Sequence, residues 1–534
     1  MKRSFKIFLF AFAFIAGCRR QEEKELPQPQ VSKVLKIGSA VEAATLDPQL
    51  AQGLAEEKVI SGLFEGLLVA DGHTLQPVPG MAQSYTVSED GREYRFFLRD
   101  HIFWSNGDPV VAEDFVNTLK RGLSEGLASP WVEFYFVLKN AKSYYDNNLV
   151  NFDKVGIEAL SPKVLKFTLE YPIDYFPALL THWAWSPVHR KSIEHMGRFF
   201  DRDNRWTQVG AIVSNGPYCL KSAEAGSQIV LQKNEHYWDA VNVAIDCVHF
   251  ISGVDASTEE NMFITEALHI TDNVPMDKIK FYQEQGTLQL ITSLGSFFYW
   301  FNCQKPPYND VRVRKALSLA VEREAIENLR KRGPGFRAYS LVPPGTRGYE
   351  HQKLFQEDVD YARQLLAEAG YPNGENFPIS TLTFNGTDTL RIIAEAVQEM
   401  WRRNLNIEIN LQSIEWNVFL DERRQHKFDI IRGGWIGDYN DATTFLNLFH
   451  SKSENNHAQW FDKTVNEMLQ EATQETDPVK RAQILAQAEA LIIEQMPIIP
   501  LYYESICHLV SPSIGGWDPN ILDWHPLKFI YFKK

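Results

Sequence analysis

The sequence predicts an α/β protein of more than one domain, and three observations carry that expectation. Short strand patterns and amphipathic helices interleave along the chain, with no repeat of solenoid period. At 534 residues the chain is too long for one core. After residue 32 no long linker marks a domain edge. Its absence points to domains built from discontinuous segments, with the chain crossing between them more than once.

The chain opens on Lys2, Arg3 and Lys6, followed by the ten-residue apolar run Ile7 to Ala16. Such a run spans roughly 15 Å as a helix, about half a bilayer core, which suits a secretory signal peptide and not a transmembrane anchor. It ends in Ile15-Ala16-Gly17-Cys18, which resembles the bacterial lipobox. Residues 1–17 are therefore expected to be removed and Cys18 to carry lipid. Residues 18–32, rich in Gln, Glu and Pro, read as a flexible tether. Removing residues 1–17 takes away three basic side chains and no acidic one, so the formal charge moves from −14 to −17. No later stretch approaches the uninterrupted apolar length of a membrane span.

In the body, Tyr94 to Leu98 and Val164 to Leu169 read as strands. Between them Ser105-Asn106-Gly107-Asp108-Pro109 supplies turn chemistry, the Asn-Gly pair accepting positive φ. Val311 to Arg330 carries an apolar stripe through Val313, Ala316, Leu317, Ala320, Val321 and Ile326, predicting one helix that stops at Gly333-Pro334-Gly335. Tyr361 to Ala369 is a helix closed by Gly370. Ile392 to Arg403 is another, Leu405 to Leu411 alternates as a strand, and Pro478 to Gln495 is a helix with Asp477 as its N-cap.

Composition narrows the function. Hydrophobic residues at 44% and charged residues at 23% exclude a disordered, collagen-like or coiled-coil chain. The acidic balance argues against a nucleic-acid surface, and five cysteines are too few for a disulfide scaffold. Motifs for enzymes are missing: no phosphate loop, no G-x-S-x-G, no H-E-x-x-H and no C-x-x-C. Gly433-Gly434 with Gly437 lacks the dinucleotide spacing, and the pairs His182/His189 and His450/His457 have no third ligand beside them. No enzyme activity, cofactor or metal is expected.

Several phrases in fixed order are more telling. They are Thr45-Leu46-Asp47-Pro48, Phe64-Glu65-Gly66-Leu67-Leu68, Phe103 to Val110 leading to Glu113-Asp114-Phe115, Asn215-Gly216-Pro217-Tyr218, Asn234 with Tyr237-Trp238, and Pro306 to Ala316. Together they resemble the extracytoplasmic solute-binding proteins of peptide ABC importers, the oligopeptide-binding (OppA) type, from about Leu35 to Lys534. Single phrases also have structural readings. Asp310 is a helix cap, Trp104 and Asp114 are structural, and Val111 stands where the family has threonine, so a side-chain cap is expected to be lost.

The resemblance implies a two-lobed periplasmic-binding-protein clamp with a hinge, of the large type with an inserted domain. It implies lobe I from 33–65, 190–290 and 508–534, the inserted domain at 66–189, and lobe II at 291–507. It also implies a site. Gly434, Trp435 and Ile436, within Arg432 to Asn440, would pair with the peptide main chain as an added strand, and Asp438 would receive the α-ammonium group. The alternative for Asp438 is a cap of a helix near Thr443. Gln52, Gly53 and Leu54 would form the opposite wall, Gln52 replacing an acidic residue of relatives. Arg423 and Arg432 would meet the peptide carboxylate, and Trp416 would line a side-chain pocket or serve as a core aromatic. Leu390 stands where a relative has a histidine for longer peptides. The relatives' disulfide positions fall near Gly295 and Ile436, so that bridge is absent, and Cys219, Cys247, Cys303 and Cys507 are expected to be free buried thiols.

The function so implied is capture of short peptides and their delivery to the permease subunits of an ABC importer, by a monomer touching the membrane through its lipid alone. The alternatives are a cell-wall peptide, a dipeptide, or a nickel or haem complex as ligand, and, outside transport, a surface adhesin or chaperone.

Overall fold

The computed structural model describes residues 33–39, 43–330, 336–386, 388–437, 439–453 and 455–534, and residues 33–534 form one compact unit. Three sheets organise it. In the first, Val34–Ser39 runs parallel to Cys247–Ser252, which pairs antiparallel with Gln228–Lys233 and through it with Tyr218–Glu224. The second is an antiparallel sheet in the order Ala82–Val87, Glu93–Leu98, Val164–Thr168, Ile157–Ser161. The third is mixed and five-stranded, in the order Ile409–Ile414, Ser380–Asn385, Ile430–Ile436, Leu288–Phe301, Ile498–Leu509. The chain thus leaves the first sheet, builds the second, returns, and only then builds the third.

Burial groups these sheets into two large cores. Leu35 and Ile37 of the first sheet, Phe96 and Leu165 of the second, and Ile514, Trp517 and Ile530 near the C-terminus share one core. Phe298, Trp300, Leu382, Ile430 and Ile499 belong to the other. Leu288–Phe301 and Ile498–Leu509 run between them. At one end Leu288, Leu290, Cys507 and Leu509 pack with Val274, Ile279 and Tyr282, while at the other Phe297 to Phe301 enter the second core. Their antiparallel ladder loses register between Thr292/Ser505 and Ser296/Tyr503, a bulge that bends paired strands.

The phrases that carried the resemblance are mostly braces. Asp47 accepts from Arg121 Nη2 at 2.6 Å and from Trp206 Nε1 at 3.0 Å. Glu65 accepts from Tyr237 at 2.5 Å, Trp238 Nε1 at 2.6 Å and Lys528 Nζ at 2.8 Å, tying three distant segments together. Val111 caps its helix without a side-chain bond, yet the Asp114 carboxylate takes the Val111 N–H at 2.9 Å and Trp104 Nε1–H at 3.3 Å, so both of those residues are structural. Asp310 accepts from the Arg312 N–H at 2.8 Å as the expected cap.

Two elements differ from expectation. The stripe from Val311 is two helices, Val311–Leu319 and Arg323–Arg330. Between them the buried Arg323 guanidinium takes the carbonyls of Ser318 and Val321, and also those of Ala338 and Pro500, so the first helix ends on a side chain instead of continuing. The expected stop at 333–335 lies outside the described residues. Leu405 closes the helix Asp388–Leu405, Asn406 takes φ +55°, and the strand begins at Ile409. The strands at 93–98 and 164–168, the helix Pro478–Gln495 with its Asp477 cap, and Gly107 at φ +87° agree with the sequence. Among the described residues no helix is long and apolar enough to cross a membrane.

Candidate functional site

A cavity of about 380 Å³ lies where the crossing strands lose register. Ser293, Leu294, Glu504, Ser505 and Ile506 of those strands line it, with Ile436, Gly437, Tyr439 and Asn440 following the Ile430–Ile436 strand. From the first core come Gln52, which is exposed, and Glu57 on the helix Leu54–Leu63. Gly53 is the N-cap of that helix and Leu54 its first residue.

An aromatic wall is fixed to the same segment. The Ala51 carbonyl accepts from Trp131 Nε1 at 2.7 Å and from Trp183 Nε1 at 3.4 Å. His182 sits between the two rings, 4.5 Å from Trp131 and 3.8 Å from Trp183 by centroid. Burial pushes its imidazole down to about 3, so it is neutral at physiological pH. Its Nδ1 accepts the Ala184 N–H at 3.2 Å, a capping role in place of metal ligation.

The strand Ile430–Ile436 has two unlike edges. On one, Gly434, Trp435 and Ile436 pair with Phe297, Ser296 and Gly295. On the other, Ser380–Asn385 pairs only with Ile430 and Ile431, so among the described residues no strand covers 432–436 on that side. Sterics require glycine at two neighbours: a Cβ on Gly433 would meet Trp300 at 2.7 Å, and one on Gly437 would meet Leu294 at 2.6 Å. Gly434 has ordinary room, 3.4 Å to the Ser296 carbonyl. Trp435 is half-buried with Nε1 directed to Thr444 at 3.3 Å, and Ile436 is exposed. Asp438 and Cys18 lie outside the described residues.

The arginines form a second group that does not line this cavity. Arg432 lies over Phe297 at 4.9 Å and donates to Asn385 Oδ1 at 3.2 Å, while its buried Nε has no partner among the described residues. Arg423 lies 5.5 Å over Phe419, on which the half-exposed Trp416 also stacks at 5.5 Å. Burial, with Arg432 adding to it, pushes the Arg423 guanidinium down to about 10, and burial lowers Arg432 as well. Among the described residues neither arginine has a carboxylate within ion-pair distance. The structure thus brings Gln52 and Ile436 to one cavity and gathers Arg423, Arg432 and Trp416 elsewhere on the same half.

Sequence reasoning missed Glu57, Glu504, Tyr439, Trp524 and the Trp131–His182–Trp183 wall. Position gave one usable signal, since Glu57 follows Gln52-Gly53-Leu54 within a helical turn. The body cysteines are thiols, but Cys219 is only half-buried, because its strand lies at the sheet edge. Gly295 and Ile436 are cross-strand partners.

A family model described as bacterial extracellular solute-binding proteins, family 5 Middle, matches residues 76–457. The periplasmic oligopeptide-binding protein OppA of Salmonella typhimurium is 34% identical over 92% of this chain and 90% of its own. The solved OppAIV of Borrelia burgdorferi, described as a periplasmic oligopeptide-binding protein, aligns at TM-score 0.81 with 33% identity, covering 94% of this chain and all of that one. The murein tripeptide binding protein MppA of Escherichia coli aligns at TM-score 0.81 with 31% identity, covering 95% of this chain and 99% of that one. The two cores and the crossing strands match the two-lobed periplasmic-binding-protein clamp with its hinge. This chain belongs to the family 5 bacterial extracellular solute-binding proteins, a family of non-catalytic binders.

Proposed function

We propose that this chain is the exported peptide-binding component of an ABC importer, which closes its two lobes on an oligopeptide and presents it to a membrane permease. The observation that carries the reading is the uncovered edge of residues 432–436 beside a cavity. A main-chain edge pairs with any extended peptide whatever its side chains, which suits a carrier of many sequences. Gly434 to Ile436 would supply that edge, with Gln52, Gly53 and Leu54 on the facing wall and Trp416 at a side-chain pocket. Asp438 would take the α-ammonium group, and Arg423 with Arg432, half-buried cations that have no carboxylate within ion-pair distance among the described residues, would meet the C-terminal carboxylate.

The lobes proposed are 33–65 with 190–290 and 508–534, and 291–507, with 66–189 inserted in the first. Contacts between the inserted segment and the second lobe would hold the closed form. Tyr175 stacks on Tyr439 at 5.3 Å, and Arg481, bonded to Asp441 at 2.8 Å, reaches Asp174 at 3.9 Å. Ligand bridging both lobes would shift the population to that form. Cys18 would anchor the monomer by lipid, the tether 18–32 leaving the body in the periplasm or at the cell surface.

Native mass spectrometry of the purified body from residue 21, followed by denaturation and sequencing of released material, tests the reading. A mixture of short peptides, lost in Asp438→Ala, is expected. One defined cell-wall peptide would favour a second reading, motivated by the likeness to MppA. No ligand bound, and none taken from a peptide library, would overturn both and leave an adhesin or chaperone.

A further inference from the structure

The cavity is unbalanced in charge. Glu57 and Glu504 line it, and among its described lining residues there is no lysine or arginine. Glu504 is answered from outside by Arg330 at 3.1 Å. The Glu57 carboxyl has no hydrogen bond or ion pair among the described residues, although its neighbourhood is crowded with charge. Lys58 is bound to Asp272 at 2.5 Å and lies 3.8 Å from Asp523. Asp523 is held in turn by His508 and His525, each at 2.9 Å. The one lysine of this cluster is therefore spent on other carboxylates. Burial, and then Asp523, push the Glu57 carboxyl up to about 8, with Lys58 opposing. A second group points the same way. Ser505 lines the cavity at 7% exposure, and its buried Oγ has no partner among the described residues. The rest of this wall is apolar or aromatic, through Leu294, Ile521, Leu522 and Trp524.

We infer that the cavity holds a subsite for a cationic side chain of the bound peptide, an aliphatic stem ending in an ammonium or guanidinium, with the Glu57 carboxylate as its counter-ion. The inference rests on the peptide reading above. The stem lies along the apolar wall, the indole face of Trp524 favours a cation near it, and Ser505 Oγ accepts one of its N–H bonds. A half-buried carboxyl that has lost most of its water and has no partner stays protonated, and an arriving cation supplies the field that lets it ionise. Binding then releases the Glu57 proton to buffer. The other titratable groups around Glu57 are Lys58 on its own helix, Asp272, Asp523 and His525 on loops joined to that helix, Glu504 and His508 on the crossing strand, and His182 on the aromatic wall.

Calorimetry on the soluble body with trialanine peptides bearing lysine, norleucine or glutamate at each position in turn tests this. At one position lysine is expected to exceed norleucine by about tenfold or more, the scale of one charge-assisted hydrogen bond. Glu57→Gln should bring that ratio close to one, and glutamate should bind weakest. With the unaltered protein, the lysine peptide should release a proton near pH 7, read from buffers of different ionisation enthalpy, and the norleucine peptide should not. Equal binding of lysine and norleucine at every position, or a preference that survives in Glu57→Gln, overturns the inference and leaves the peptide reading intact. Binding of none of the peptides overturns both.

Discussion

Arg121 and Arg423 are both buried or half-buried arginines, and they have opposite surroundings. Arg121 donates to Asp47 at 2.6 and 3.1 Å, to Gln49 Oε1 at 2.9 Å and to the Phe199 carbonyl at 2.8 Å, so each of its three nitrogens has an acceptor. Arg423 has aromatic carbon on one side and the repulsion of Arg432 on the other. Glu65 and Glu57 repeat the contrast among carboxylates, the first held by three donors, the second by none among the described residues. Fully paired charges fix how segments join, because leaving one partner behind is costly. Unpaired charges join no segments, and on the proposed function they would mark where an outside group belongs.

The widest test of that contrast removes a brace. Arg121→Ala strands Asp47 in the core and is expected to cost about 3–5 kcal/mol of stability, read from urea unfolding by tryptophan fluorescence. A loss below about 1 kcal/mol, the range of an exposed pair, would erase the distinction. On the other side, Arg432→Ala is expected to weaken peptide binding by about 2–5 kcal/mol, measured by calorimetry, without lowering the melting temperature of the ligand-free body. A parallel fall in melting temperature would make Arg432 another brace. Tyr175→Ala removes the stack on Tyr439 and should weaken binding by about 0.5–1.5 kcal/mol, through closure alone, since Tyr175 does not line the cavity.

The contrast also has a signature in pH. Glu57 is raised from 4.5 to about 8, so its folded form holds its proton more tightly than the unfolded chain does. Its contribution to stability is fully present below pH 4.5 and is lost as pH rises toward 8. Stability of Glu57→Gln, compared with the parent across that window, should therefore gain on it as pH rises. A constant difference would remove Glu57 from the unpaired class.

The sequence showed well what is settled locally. Pro478–Gln495 is bounded by Asp477, whose carboxylate takes the Val479 N–H at 2.9 Å, and by an apolar face within the same segment. The break after Leu319 was hidden because two of the carbonyls Arg323 takes, on Ala338 and Pro500, are distant in sequence. The site divides in the same way. Gln52 and Ile436 were reached through the family's phrases, which are local strings. Glu57 was not, since being unpartnered is a property of the folded surroundings, and Glu56 beside it looks identical in sequence yet accepts the Ala44 N–H at 2.7 Å.

The register break in the crossing strands has a mechanical consequence. Ser293, Leu294, Glu504 and Ser505 are at once the bend of the joint and part of the lining of the chamber. On the proposed function, a peptide held there would bear on the joint itself, and its bulk would set the angle at which the two halves come to rest. Chamber size and resting angle would then be linked, so a change that widens the one would also reset the other.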